Sequence, residues 1–449
     1  MDDFLFNEFS TVSPAAWKQK IQVDLKGADY NDSLIWKSNE GIHVKPFYTS
    51  EDRHNNNVCL PKDGYKICQS IFVDDVIIAN KIAVDSLERG ATAIQFIAKN
   101  TFDYTVLFDK IDTKQTHIYL NFEFLDAAFI SEIEKYCKGN YIYFQIDIIG
   151  NLAKTGNWFS NLNADISEKA KFIHTVTNSI CVDASLYQNA GATIIQELAY
   201  ALAHTNEYLE LFGESIALKI HYIFSIGSNY FFEIAKLRAF RILVEVLLKE
   251  RGIQHTTIHI FTKPSLRNKT IFDYNVNMLR TTSECMSAIL GGSDTISNIS
   301  YDSIYHKSNE FGERIARNQL LILKEEAYLS EAHKFANGAY YIENTEKQFA
   351  EKALQLFKQI EKNGGFLKQL KKGTIQNKIS ENAGKQQELF DQNELILLGT
   401  NKLPSQNDRM KNELQIYPFL KKKNSKTLIV PILQRRLSEQ HEQNRLKME

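Results

Sequence analysis

Arg280-Thr281-Thr282 sets one cation and two hydroxyls near the start of a helix-like run that opens at Asn277 and passes Glu284 and Ala288 to Gly291-Gly292. In an α/β barrel that is where a strand meets its helix, and where such folds keep their chemistry. Arg280 could line an anion or phosphate pocket there, or hold the barrel rim. Other reactive groups carry less. His255 and His259 lie four apart on a strand, so they share a face about 13 Å apart, too far for one metal. His204 and His221 have no carboxylate or cysteine at ligand spacing. Glu325-Glu326 are adjacent on a helix and point about 100° apart, so they do not converge as an acid–base pair. Cys68 has no adjacent histidine or basic residue and reads as a small buried apolar group.

The elements that would position these groups alternate. Strand-like runs fall at 70–76, 93–98, 117–122, 141–149, 172–182, 218–225 and 256–262, with a weaker one at 295–299. Helical patterns occupy 76–89, 124–137, 189–211, 230–249, 275–290, 309–329 and 345–362. A run such as 141–149 is apolar on both faces, as buried parallel strands are. About eight strand–helix repeats between 46 and 385 predict an α/β fold, a (β/α)8 TIM-type barrel. An open doubly wound sheet is the alternative, and no G-x-G-x-x-G turn supports it. Residues 1–45 read as an arm. Ser13 can cap a helix with Pro14 in its first position, Trp17, Ile21 and Leu25 share one face, and Gly27 ends it. Residues 386–449 read as an extended tail with a polar, disordered end from Ser438.

Bulk properties exclude several classes. Net charge is −1 and 43% of residues are hydrophobic, so the chain has a sizeable core and no attraction for nucleic acid. The basic group Lys421-Lys422-Lys423 reads as a solvated tail. No run of about 18 apolar residues is present, which excludes an ordinary membrane span. The start, Met1-Asp2-Asp3-Phe4, has the wrong sign for a leader. Five scattered cysteines without a C-x-x-C pair fit a reducing cytoplasm.

Several stretches in order resemble one enzyme family. They are Asp24–Tyr30 with Trp36 and Lys45–Tyr48, then 194–200, 232–238, 277–292, 314–318 and 397–402. Together they resemble methylmalonyl-CoA mutases, the first group resembling the small subunits of heterodimeric bacterial enzymes. The resemblance implies a substrate barrel, a cobalamin-binding flavodoxin-like domain after it, and radical isomerisation of methylmalonyl-CoA and succinyl-CoA with adenosylcobalamin.

The resemblance also marks what is changed. Where catalytic chains carry Tyr-His, this sequence has Tyr187-Gln188, and glutamine keeps an N–H donor but cannot shuttle a proton. Where they carry Arg-Gln-Tyr, it has Cys68-Gln69-Ser70, without the guanidinium or the ring. After the double glycine, Asp294 and Ser297 stand for a glutamine and a histidine, so Asp294 is expected to bring negative charge near a site for an anionic substrate. Arg280 is retained. The cobalamin ligand of the family lies in an Asp-x-His-x-x-Gly turn. Asp52-x-His54 is the chain's one Asp-x-His, and Asn57 stands where glycine belongs. Residues 431–435 resemble the linker towards a cobalamin domain.

The resulting expectation is a barrel with no catalytic, cofactor or metal residues of its own. It would be the small subunit of a cytoplasmic hetero-oligomer, stabilising a large catalytic mutase chain that holds the adenosylcobalamin. The alternative is a barrel subunit that binds an acyl-CoA or contributes directly to activity.

Overall fold

Strand, N-capped helix, strand: the same three-part step is repeated around a ring. In the computed structural model the described residues are 8–53, 58–62, 64–137, 139, 141–254, 257–331, 334–420 and 426–449. His54, Asn57, His255 and Lys421 to Lys423 lie outside them.

The ring strands are β1 (Lys66–Phe72), β2 (Ala93–Ala98), β3 (His117–Phe122), β4 (Ile142–Phe144), β5 (Ile180–Asp183), β6 (Ile220–Ile226), β7 (His259–Pro264) and β8 (Thr295–Ile296). All their pairings are parallel, and each strand lies beside its neighbour in sequence. β8 returns to β1, with Thr295 opposite Lys66. The last seam, β4 to β5, is carried by a bridge from Tyr143 to Asn178, where the Phe144 N–H donates to the Asn178 carbonyl at 3.0 Å. This order, cyclic and without reversal, is that of the (β/α)8 barrel, nearly closed; an open doubly wound sheet reverses its order at a switch point.

The helices that serve the argument are α1 (Pro14–Asp24), α2 (Val76–Glu88), α3 (Ala127–Cys137), α4 (Ile148–Thr155), α5 (Leu162–Ala170) and α6 (Ile194–Phe212). They continue with α7 (Tyr230–Glu250), α8 (Val276–Leu290), α9 (Glu310–Leu321), α10 (Tyr340–Lys362), α11 (Thr374–Asp391) and α12 (Glu439–Met448). At several steps a polar cap stops the strand and starts the next helix. Asp75 takes the Ile77 and Ile78 N–H groups at 2.9 Å, Thr193 and Gln196 form a capping box on α6, and Asn309 takes Gly312 N–H at 2.8 Å.

Capping explains where the strand expectations shift. Because Asp75 is committed to α2, β1 occupies 66–72 and not 70–76. Because Asp147 caps α4, the apolar run 141–149 is a three-residue strand followed by a buried helix, two forms that periodicity alone does not separate. In the run 172–182 only Ile180–Asp183 is strand. The preceding turn is fixed by Lys169, fully buried, whose ammonium donates to the carbonyls of Ile146 at 2.8 Å and Ser179 at 2.6 Å.

At the ends of the chain, Ser13 caps α1 as expected, yet α1 buries no residue and rests on the chain through Trp17, stacked on Phe47 at 4.5 Å. The C-terminal segment departs from the extended, disordered tail. α11 runs through to Asp391, and α12 is a helix with Glu439 and Glu442 buried. Arg436, 5% exposed, anchors it with a 2.6 Å ion pair to Glu442.

Candidate functional site: the barrel lumen and mouth

Alternation along the strands sends every second residue into the lumen. Cys68, Ala93, Tyr119, Tyr143, Cys181, Ile223 and Phe261 meet there in one buried cluster. Tyr119 stacks on Tyr143 at 4.9 Å and packs on Phe261 at 4.6 Å. Its hydroxyl bonds Thr295 Oγ1 at 2.6 Å and His259 Nε2 at 2.8 Å. Towards the N-terminal ends of the strands, His259 stacks on Tyr143 at 4.2 Å, and His117 and His221 pack beside them. Burial holds His117 and His259 below the ordinary imidazole range, His117 down to about 3. The lumen is a packed core and not a channel.

At the mouth the lining turns polar. Ser70 Oγ donates to Gln95 Oε1 at 2.6 Å and shares a 2.8 Å hydrogen bond with Ser297 Oγ. Lys263 Nζ donates to the same Gln95 oxygen at 2.8 Å, and the Gln95 amide donates to Gln145. Burial pushes the Lys263 ammonium down and the Asp183 carboxyl up. The Cys68 thiol beneath is 4% exposed and raised by burial, which leaves it a poor nucleophile.

The residues singled out in sequence are dispersed. Cys68, Ser70 and Ser297 share the lumen. Gln69 points outward between α9 side chains, accepting from Arg317 at 2.9 Å and donating to Glu313 at 3.3 Å. Tyr187, fully buried, turns away from the mouth and bonds His204 Nδ1 at 3.0 Å. His204 Nε2 lies 3.1 Å from Asp147, whose carboxylate also caps α4 and accepts from Tyr208. Gln188 faces the mouth, its carbonyl taking the Ser265 hydroxyl at 2.8 Å. Asp294 departs from the expected charge near a substrate. It precedes β8, where it pairs outside the lumen with Arg241 at 2.8 Å and accepts from Ile260 N–H.

Arg280 serves the rim. Its guanidinium donates to Thr270 Oγ1, Asn277 Oδ1 and the Leu398 carbonyl at 3.0, 2.8 and 2.7 Å. Thr281 and Thr282 give their hydroxyls to the Met278 carbonyl and accept from Gln319. The cation and hydroxyls of the opening motif are thus spent on holding helix, loop and tail together. Sequence reading passed over Lys263. The signal was there: it continues the period of two from His259 and Phe261, one residue beyond the expected strand end.

The sequence profile described as methylmalonyl-CoA mutase matches residues 99–448. The chain belongs to the methylmalonyl-CoA mutase family. It is 34% identical to the methylmalonyl-CoA mutase small subunit of Porphyromonas gingivalis, over 89% of this chain and 71% of that one. It is 34% identical to the methylmalonyl-CoA mutase of Rhizobium meliloti over 56% of this chain but only 37% of that longer one. It is 30% identical to the large subunit of P. gingivalis, over 53% of this chain and 35% of that one.

The mutase-family motifs now have physical content. In 232–238, Lys236 stands between Glu233 at 2.5 Å and Glu197 at 3.0 Å, and Arg238 pairs with Glu346 at 2.6 Å; all are buried. Glu197 comes from the motif 194–200, and burial raises its carboxyl against the pull of Lys236. In 397–402, the Asn401 amide donates to the Phe390 and Leu395 carbonyls and its oxygen takes Leu397 N–H. Gly399 sits where a Cβ would stand 2.3 Å from Asp273. Lys236, Arg238 and Gly399 thus each meet residues distant in sequence.

Proposed function

We propose that this chain is the small, non-catalytic subunit of a cytoplasmic, hetero-oligomeric methylmalonyl-CoA mutase. Its barrel packs against and stabilises a large catalytic chain, which holds adenosylcobalamin and isomerises methylmalonyl-CoA and succinyl-CoA. P. gingivalis has both a small and a large subunit of this name, which supports a paired arrangement here.

One observation carries the reading: the pocket positions bond to their own neighbours. Ser70 and Ser297 bond to each other, Gln188 bonds to Ser265, and Cys68 is sealed beneath the Ser70–Gln95–Lys263 network. An acyl thioester entering from the mouth meets these internal hydrogen bonds, and the stacked rings of Tyr119, Tyr143 and Phe261 fill the space below. α1, which buries no residue of its own chain, supports the arm as the element that wraps the partner.

The cofactor fits the partner better than this barrel. A histidine of this barrel that held the cofactor would need a free imidazole nitrogen at the mouth. His204 has both nitrogens directed at Tyr187 and Asp147, while His117, His221 and His259 lie at the other end of the lumen. Among the described residues no group of three or more His, Cys, Asp or Glu is placed to hold a metal ion, and no helix is long and apolar enough to cross a membrane. All five cysteines are free, which suits a reducing compartment.

Titration of the isolated chain with methylmalonyl-CoA at millimolar concentration tests the non-catalytic reading. The expected result is no saturable heat. Saturable ester binding overturns it in favour of a barrel that handles acyl-CoA itself.

A further inference from the structure

A second feature of the mouth lies to one side of the lumen. A cavity of about 270 Å³ opens between the N-terminal arm, the loops after β6 and β7, and the C-terminal segment. Sites for drug-sized ligands run from roughly 300 to 1,000 Å³, so its occupant is a small molecule.

Its walls carry groups of opposite sign, Arg267 on one side and Glu233 with Glu40 on the other. Arg267 is 7% exposed and donates only to neutral oxygens: Gln386 Oε1 at 2.6 Å, the Arg435 carbonyl at 2.9 Å and the Ala383 carbonyl at 3.5 Å. The buried Arg238, Arg241 and Arg436 each meet a carboxylate within 2.8 Å. A buried charge without a counter-ion is costly, and a ligand carboxylate relieves that cost. Burial accordingly lowers the Arg267 guanidinium to about 10.

Across the cavity stand Glu233, 3% exposed, and Glu40 of the arm. Glu233 and Glu197 share one ammonium, Lys236, while burial raises Glu40 to about 7, so a ligand ammonium beside it would displace its proton. Gly227 keeps the intervening space open: a Cβ there would stand 3.0 Å from Glu233 Oε1 and 3.2 Å from Gln188 Nε2. Gln188 gives its oxygen to Ser265, which leaves its amide hydrogens for that space. An anion alone faces the glutamates, and a cation alone faces Arg267.

We propose that this cavity binds a small zwitterion of the amino-acid class, its carboxylate held by Arg267 and its ammonium by Glu233 and Glu40. The site is independent of whether the chain pairs with a large subunit, because every wall belongs to this chain.

Calorimetric titration of the intact chain tests it, with alanine, serine, norvaline and 4-aminobutyrate as probes and with succinate and putrescine as single-sign controls. At least one amino acid is expected to bind saturably and both controls to fail. Gly227→Ala fills the gap without removing a charge, and its backbone conformation is open to alanine. It is expected to weaken binding at least tenfold with a small change in melting temperature, and Arg267→Gln to weaken binding likewise while lowering the melting temperature, because three buried hydrogen bonds go with it. If Arg267→Gln does not fold, the alanine variant decides alone. The proposal is overturned if no amino acid binds at millimolar concentration, if succinate or putrescine binds as well, or if Gly227→Ala leaves affinity intact.

Discussion

Glu40 fastens the N-terminal arm to the barrel at an electrostatic cost that depends on pH. Its carboxylate accepts the Ile194 N–H at 2.7 Å, at the first turn of α6. Burial, with Glu233 nearby, raises its pKa from 4.5 to about 7. The folded state therefore holds a proton that the unfolded chain releases. Stability from this group is fully present below pH 4.5 and is lost as pH rises through 7, the reverse of a salt-bridged carboxylate. A displacement of that size corresponds to about 3 kcal/mol once both states are ionised, at ~1.4 kcal/mol per unit. Glu40→Gln keeps the acceptor for Ile194 and removes the charge. It should stabilise the protein by about 3 kcal/mol at pH 8 and by about 1 kcal/mol at pH 5. For a chain of this length, with an unfolding entropy of ~2 cal/mol/K per residue, that is roughly 3 °C and roughly 1 °C in melting temperature. Differential scanning calorimetry of both proteins from pH 5 to pH 8.5 measures it. A shift that is negative at pH 8, or equal at all pH values, would refute the reasoning.

Three further outcomes follow from the rim and the lumen. Arg280→Met removes three charge-assisted hydrogen bonds that tie α8 to Thr270 and Leu398. It should cost about 2–3 kcal/mol in urea unfolding and bring faster proteolysis at 394–403. Gly399→Ala combines a φ of +77° with a Cβ 2.3 Å from Asp273 Oδ2, and a loss of about 2 kcal/mol or more is expected by the same measurement. His117 is held neutral, its pKa lowered from 6.5 to about 3 by burial and by His259, so its contribution is present above pH 6.5 and is lost as pH falls towards 3. His117→Phe should flatten the acid limb of the melting curve between pH 6.5 and 4, and an unchanged limb would count against the buried-imidazole account.

Much of the barrel could be read from the sequence because its strands and caps speak locally. Ala93–Ala98 and His117–Phe122 fall where expected, since each is a short apolar run closed by polar residues. The shift of β1 and the helix at Ile148–Thr155 were hidden for one reason: Asp75 and Asp147 fall inside the expected strand runs 70–76 and 141–149, and nothing local marks them as helix caps. The order in α12 was hidden because it depends on Arg436 and Glu442 meeting inside the fold, which composition does not show. At the mouth, family likeness selected Cys68, Ser70, Gln188 and Ser297, which do face the lumen or the mouth. It also selected Gln69, Tyr187 and Asp294, which face elsewhere, because likeness in sequence does not record where a side chain points. Arg267 and Glu40 escaped notice because their interest lies in partners far away in the chain.

The proposed pairing with a large catalytic chain carries a direct test. Size-exclusion chromatography with light scattering tests this most directly, on this chain mixed with a large methylmalonyl-CoA mutase subunit from the same source. The account predicts a single peak at the summed mass, with α1 protected from hydrogen exchange only in the mixture. Two separate peaks at the individual masses, with α1 equally exposed in both samples, would contradict it.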